Sequence, residues 1–118
     1  MQKLLLMSCM LTVLAGCQSF SNSTSSLSLE NPERNVLCDQ YICANSQGVS
    51  KELTAKYLGD TQANKIFSQG KFDTTQFTFS NGIFCDTKEQ RCHTDRYFNQ
   101  DGSRSVNAAE YTKALFAQ

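Results

Sequence analysis

The sequence predicts a small α+β domain: a short antiparallel β-meander with two to three short helices, stapled by two disulfides. Three observations lead there. Cys38, Cys43, Cys85 and Cys92 fall into two close pairs. Phe77 and Phe79 alternate with polar neighbours just before Asn81-Gly82, the pattern of a half-buried strand entering a tight turn. Short segments with apolar residues at helical spacing are bounded by Ser or Asp on one side and Gly on the other.

The elements follow in order. Val36-Leu37-Cys38 and Tyr41-Ile42-Cys43 read as short strands or a cystine-closed turn around Asp39-Gln40. Ser50 reads as the N-cap of a first helix that stops at Gly59, with Leu53, Tyr57 and Leu58 on one face. Asp60 reads as the cap of a second helix through Ser68, stopped by Gly70, with Ala63, Ile66 and Phe67 on one face. The Phe77–Phe79 strand then meets Asn81-Gly82, a type I′ hairpin signal, and returns through Ile83 to Cys85. Polar residues Asp86 to Arg91 turn the chain, and Cys92 to Tyr97 form a third strand. Asn99-Gln100-Asp101-Gly102 marks another turn, and Ser105 caps a last helix with Ala109, Leu115 and Phe116 toward the core. Two stretches read alike: C-D-x3-C, Gly48 and a Ser50-capped helix, against C-D-x5-C, Gly102 and a Ser105-capped helix; similar local physics accounts for this more readily than duplication.

Four cysteines admit three pairings. The local one, Cys38–Cys43 with Cys85–Cys92, is favoured by proximity during oxidation. Energetics does not select it. In the chain-entropy model each small loop gives roughly 2–2.5 kcal/mol, and a Cys38–Cys85 bridge would give about 4 kcal/mol. The spacings C-x4-C and C-x6-C are not those of a zinc ribbon.

The chain begins with Lys3, an apolar stretch from Leu4 to Leu14, and Leu14-Ala15-Gly16-Cys17. The stretch is about 17 Å long as a helix, too short to span a bilayer. It resembles a bacterial lipoprotein signal with its lipobox. That implies cleavage before Cys17 and acylation of its thiol and new amino terminus, enough for stable anchoring. Cys9 leaves with the signal. Gln18, in place of Asp, resembles the sorting signal for the outer membrane. Residues 17–35 then read as the lipidated cysteine and a tether: six of the ten residues from Ser19 to Ser28 are serine. A flexible stretch of this length spans about 20–25 Å. The expected organisation is therefore signal 1–16, tether 17–35 and domain 36–118.

The full chain carries 11 basic and 11 acidic residues. Loss of Lys3 leaves 10 against 11, a mature net charge near −1. That lacks the basic footprint of nucleic-acid binding. A domain this small buries a modest core and relies on staples.

Little in the chain points to catalysis. His93, the one histidine, is followed by Asp95, and a strand would put both on one face. A Cys–His nucleophile would need Cys92 as a free thiolate, whereas Cys92 reads as half of a cystine. His93 reads instead as a surface strand histidine. No serine lies in a G-x-S-x-G elbow. With Gly102 at the sixth position of a calcium loop, Tyr97 and Ala108 would occupy the first and twelfth, where oxygen ligands are required. That segment reads as a turn. No metal or cofactor is expected. Phe72, Phe77, Phe79, Phe84, Tyr97 and Phe98 read as the core of a small sheet, the alternative being that some form an exposed patch. Tyr41, Arg96 and Tyr97 are candidate partner contacts, since Tyr and Arg are enriched at interfaces.

The strings VLCDQYICA, LTAKYLG, GKFDTTQFTFSNGIFCD and C-H-x-D-R-Y-F, spanning Val36 to Phe116, resemble the Fels-prophage-like (YcgJ-like) small exported envelope proteins. The resemblance implies a small exported domain of unknown activity and carries no catalytic residues to this chain. The expected function is a non-catalytic interaction module of the cell envelope. It would be held at the outer membrane by lipid on Cys17, facing the periplasm, and would bind an envelope or exogenous protein. A structural envelope component, or a small hydrolase using His93 and Asp95, is the alternative. Oligomeric state stays open.

Overall fold

The computed structural model describes residues 28–118. The signal, Cys9, Cys17 and the first part of the serine-rich stretch lie outside the described residues. The chain forms two three-stranded antiparallel sheets and three helices. The first sheet is β1 (Leu37–Cys38), β2 (Cys43–Asn45) and β3 (Gly48–Val49), followed by α1 (Lys51–Leu58) and α2 (Asp60–Phe67). The second is β4 (Gln76–Thr78), β5 (Phe84–Asp86) and β6 (Arg91–His93), followed after a long excursion by α3 (Ala109–Phe116). This is the α+β class expected, with the helices on one sheet each: α1 packs on β2 and α3 on β6.

The two disulfides are Cys38–Cys43 and Cys85–Cys92. Each joins residues directly opposite on adjacent strands, so each cystine clips one hairpin. All four cysteines are buried.

The two arms are alike beyond their cystines. Asp39 and Asp86, each just after a first cysteine, are both buried. Asp39 Oδ1 accepts from the amides of Tyr41 and Ile42, and Asp86 Oδ1 from those of Lys88 and Glu89. Each thereby ties its hairpin turn from within. The amide of each second cysteine donates to a buried helix threonine: Cys43 to Thr54 Oγ1 at 3.0 Å, Cys92 to Thr112 Oγ1 at 2.8 Å. Helix and cystine are thus joined by the same bond in both arms. A Thr→Val change keeps the shape but orphans a buried N–H, at ~1–3 kcal/mol. Thr54→Val and Thr112→Val should therefore each lower the denaturation midpoint, with similar shifts.

The arms meet at β3 and β4. Val49 donates to Thr74 O at 2.9 Å, and Asp39 Oδ2 accepts from Ser80 N at 2.7 Å. Leu37, Ala44, Val49, Phe77, Phe79, Leu115 and Phe116 from both arms share one core with the second cystine. A smaller cluster of Val36, Cys38 and Cys43 is covered by Leu53, Tyr57 and Leu58, the face expected of α1.

Several expectations need correction. The packed chain begins before Val36. Leu29 packs on the core, Glu30 bridges Cys38, and Asn31 Nδ2 donates to Val36 O. The Glu33 carboxylate meets the Tyr57 hydroxyl and the Lys56 ammonium, which hold its carboxyl below the usual range. Residues 29–35 are therefore part of the fold, joined to it by one reciprocal backbone pair at Glu30 and scattered side-chain bonds that leave no periodic pattern. The Asn81-Gly82 turn is not type I′. Gly82, not Asn81, has positive φ, and the bonds Gly82 N→Phe79 O and Phe79 N→Ile83 O make a three-residue loop. Asn81 spends its side chain on the Ile83 amide and keeps an ordinary backbone.

Ser50 caps α1 as expected, its Oγ accepting from Leu53 N at 3.1 Å. Gly59, not Asp60, is the N-cap of α2. Ser105 does not cap α3, whose N-cap is Ala108 without a side-chain bond. The Ser105 hydroxyl instead bridges both backbone groups of Asp95. Ala108 rather than Ala109 is buried, alongside Leu115 and Phe116. The third strand ends at His93 instead of Tyr97, because Thr94 pairs with Val106 and the chain leaves the sheet.

Candidate partner-binding site

Phe77, Phe79 and Phe84 are core residues, and Phe72, Tyr97 and Phe98 are exposed. The aromatic group of the sequence is therefore divided, and the division follows the early end of β6. Tyr97 and Phe98 lie on the excursion 94–107, away from the sheet that would have covered them.

This excursion is tied down along its length. Thr94 N donates to Val106 O, Ala108 N to Cys92 O, and Phe98 bridges Arg104. At its tip, Gly102 N→Asn99 O and Asn99 N→Ser103 O repeat the geometry of the Phe79–Ile83 turn. Asp101 Oδ1 accepts from both the amide and the hydroxyl of Ser103, which hold its carboxyl below the usual range. Arg104 is clasped between rings. Its guanidinium carbon is 4.5 Å from the Phe98 centroid and 4.7 Å from that of Phe84, and Nη2 is 3.4 Å from Asp86 Oδ2. Such cation–π contacts are worth about 0.5–2 kcal/mol according to their desolvation. The Phe98–Arg104 pair escaped the sequence reading. Its signal is the turn Asn99–Gly102, which sets these residues opposite each other.

Arg96 and Tyr97 stand together, the guanidinium carbon 5.3 Å from the ring centroid. They line a depression of about 310 Å³ with Ser80 and Asp95. Ser80 also lines a neighbouring depression of about 360 Å³ with Asp39 and Gln40, beside Tyr41. Tyr41 is half exposed at the tip of the first cystine clip, its backbone held by Asp39 and by Gln62 Nε2→Tyr41 O. Arg96 and Tyr97 thus line a depression with Ser80, and Tyr41 is tied to Ser80 through Asp39, whose two carboxylate oxygens accept from their amides. A larger depression of about 510 Å³, between residues 31–35 and α3, contains none of them.

His93 is buried, correcting the surface histidine expected. Its Nδ1 donates to Ser105 O and its Nε2 pairs with Glu89 Oε1, both at 2.8 Å. It latches the excursion to the β5–β6 turn. Asp95 does not touch it; Asp95 Oδ1 accepts from Tyr97 N at 2.9 Å. Cys92 is in a disulfide, so neither a Cys–His nor a His–Asp arrangement forms. Glu89 was missed because it reaches His93 across the turn, outside any i,i+2 strand pattern. No cluster of three or more metal-ligating side chains exists among the described residues.

A family model described as "YcgJ protein" matches residues 29–116. The "Uncharacterized protein YcgJ" of Escherichia coli (strain K12) is 46% identical over 99 residues, covering 83% of this chain and 81% of that protein. No solved structure matches the chain. With the match running from Leu29, where the packed chain starts, to Phe116 at the end of α3, the chain belongs to the YcgJ family.

Proposed function

We propose that the protein is a non-catalytic interaction module of the bacterial cell envelope, anchored at the outer membrane through lipid on Cys17. The observation that carries the interaction reading is the surface around Ser80. Tyr41 and Tyr97 are solvent-exposed while their backbones are fixed by Asp39 and Asp95. Rigid exposed Tyr and Arg side chains suit a contact surface because little freedom is lost on binding. The one histidine supports this reading, since both its ring nitrogens are occupied by structural partners. The anchoring half rests on the order Lys3, Leu4 to Leu14, then Leu14-Ala15-Gly16-Cys17. A lipid anchor also suits a chain without a basic excess to hold it at a membrane.

One experiment addresses both halves. Cells growing on labelled palmitate should incorporate label into the wild-type chain and lose it with Cys17→Ser. Affinity capture from their envelope extract should recover one stoichiometric protein partner. Label persisting in Cys17→Ser overturns the anchor, and a clean capture without any partner favours a structural envelope component.

A further inference from the structure

The two arms share cystine, aspartate and threonine but differ in one connection. From the second cysteine to the helix threonine the first arm takes 11 residues and the second takes 20. The first arm shows that the scaffold closes without the nine additional residues. The longer connection contains the excursion 94–107, which carries Tyr97, Phe98 and Val106, each more than half exposed. Large apolar side chains left exposed on a segment that the first arm does without are of the kind that marks contact surfaces.

The charges on this loop are sorted as well. Asp95 caps the Tyr97 amide, Asp101 holds Ser103, and Arg104 is drawn to Asp86 between two rings. Arg96 is different. Among the described residues it pairs with no carboxylate and rests only on Tyr97, its Nη2 3.4 Å from the phenol oxygen. The group left available beside the aromatic surface is therefore a guanidinium, while the loop's own acids are engaged locally.

We propose that the excursion 94–107 is a recognition loop for an acidic patch on a partner protein, with Tyr97 seated in an apolar dent and Arg96 forked onto a carboxylate. The proposal rests on the interaction-module reading and gives its surface a chemistry. A guanidinium beside a ring, 5.3 Å from its centroid and without a carboxylate of its own, has its donor fork available for bidentate pairing with a carboxylate. The adjoining aromatic ring excludes water from that pair and strengthens it.

The test uses purified full-length protein in detergent micelles on an array of short peptides. Each peptide combines Leu and Phe with Asp and Glu, with matched Asn and Gln, or with Lys. The wild type should retain acidic peptides at least about tenfold over their amide counterparts, the factor for one charged contact. Arg96→Gln should erase that preference, and Arg96→Lys should restore only part of it. Tyr97→Ala should weaken both classes. Thr94 amide protection, from its bond to Val106, verifies that each variant retains the loop. A wild type without acid preference, a preference surviving Arg96→Gln, selection of Lys peptides, or self-association through the loop would each overturn the proposal. Failure here leaves palmitate labelling and envelope capture unaffected, so it is distinguishable from failure of the interaction-module reading.

Discussion

Gly48→Ala is expected to lower unfolding free energy by ~3 kcal/mol or more, from backbone strain and steric overlap together. Gly48 has φ +126°, a conformation that L side chains rarely adopt. A Cβ there would lie 2.2 Å from Thr74 O and 2.9 Å from Thr74 C. These are backbone atoms at the junction of the arms, where Val49 N donates to Thr74 O, so they cannot simply step aside. Gly59→Ala is the matched comparison. Gly59 has φ +99° with nothing within 4 Å of its Cβ position, so only conformational strain of ~1–3 kcal/mol is expected, without the steric term. Urea denaturation of both variants separates the contributions. Equal losses would mean that the approach of Thr74 to Gly48 contributes nothing.

Asp39→Ala should cost about 2–4 kcal/mol, because one carboxylate serves three partly buried backbone amides; a fully buried orphan donor costs ~1–3 kcal/mol, and water can re-satisfy these in part. Tyr41 and Ile42 bond Oδ1 at 2.7 and 2.8 Å, and Ser80 bonds Oδ2 at 2.7 Å. Asp39→Asn keeps one acceptor oxygen and should fall between the wild type and Asp39→Ala. Hydrogen exchange checks the mechanism as well as the magnitude: the amides of Tyr41, Ile42 and Ser80 should lose protection ahead of the Cys92 amide. Uniform loss across the domain would contradict a local role. Asp39 also joins the cystine clip to the Ser80 turn, so the change should loosen the surface between Tyr41 and Tyr97.

What was legible in the sequence was local. Cysteines five and seven residues apart closed on themselves, Ser50 capped the helix that follows it, and Leu53, Tyr57 and Leu58 covered one cluster. These depend on neighbours in the chain, which spacing records. The turn type at Asn81-Gly82 and the cap of α2 failed locally; the other failures depended on distant partners. Ser105 is an acceptable helix cap, but Asp95 claims its hydroxyl from ten residues away. His93 has the polarity of a surface residue, yet Glu89 and Ser105 satisfy it in the interior. Tyr97 has the alternation of a strand residue, but Thr94 takes Val106 as its partner and ends the strand first. For the candidate site, residue type named Tyr41, Arg96 and Tyr97. Their grouping around Ser80 needed Asp39 to reach across 41 residues, which no periodicity encodes.

The contact of Gly48 with Thr74 has a consequence for how this architecture can diversify. It fixes the short connection of the first arm against the second sheet and leaves no room there for added chain. The corresponding connection of the second arm turns at its tip on Asn99–Ser103, where Gly102 has open space around it. One half of the molecule thus works as a chassis and the other as a cassette. Foreign segments grafted between Asn99 and Ser103 would leave both cystines, both buried aspartates and both helix threonines in place, which makes the domain a compact display frame with a permissive port at that tip.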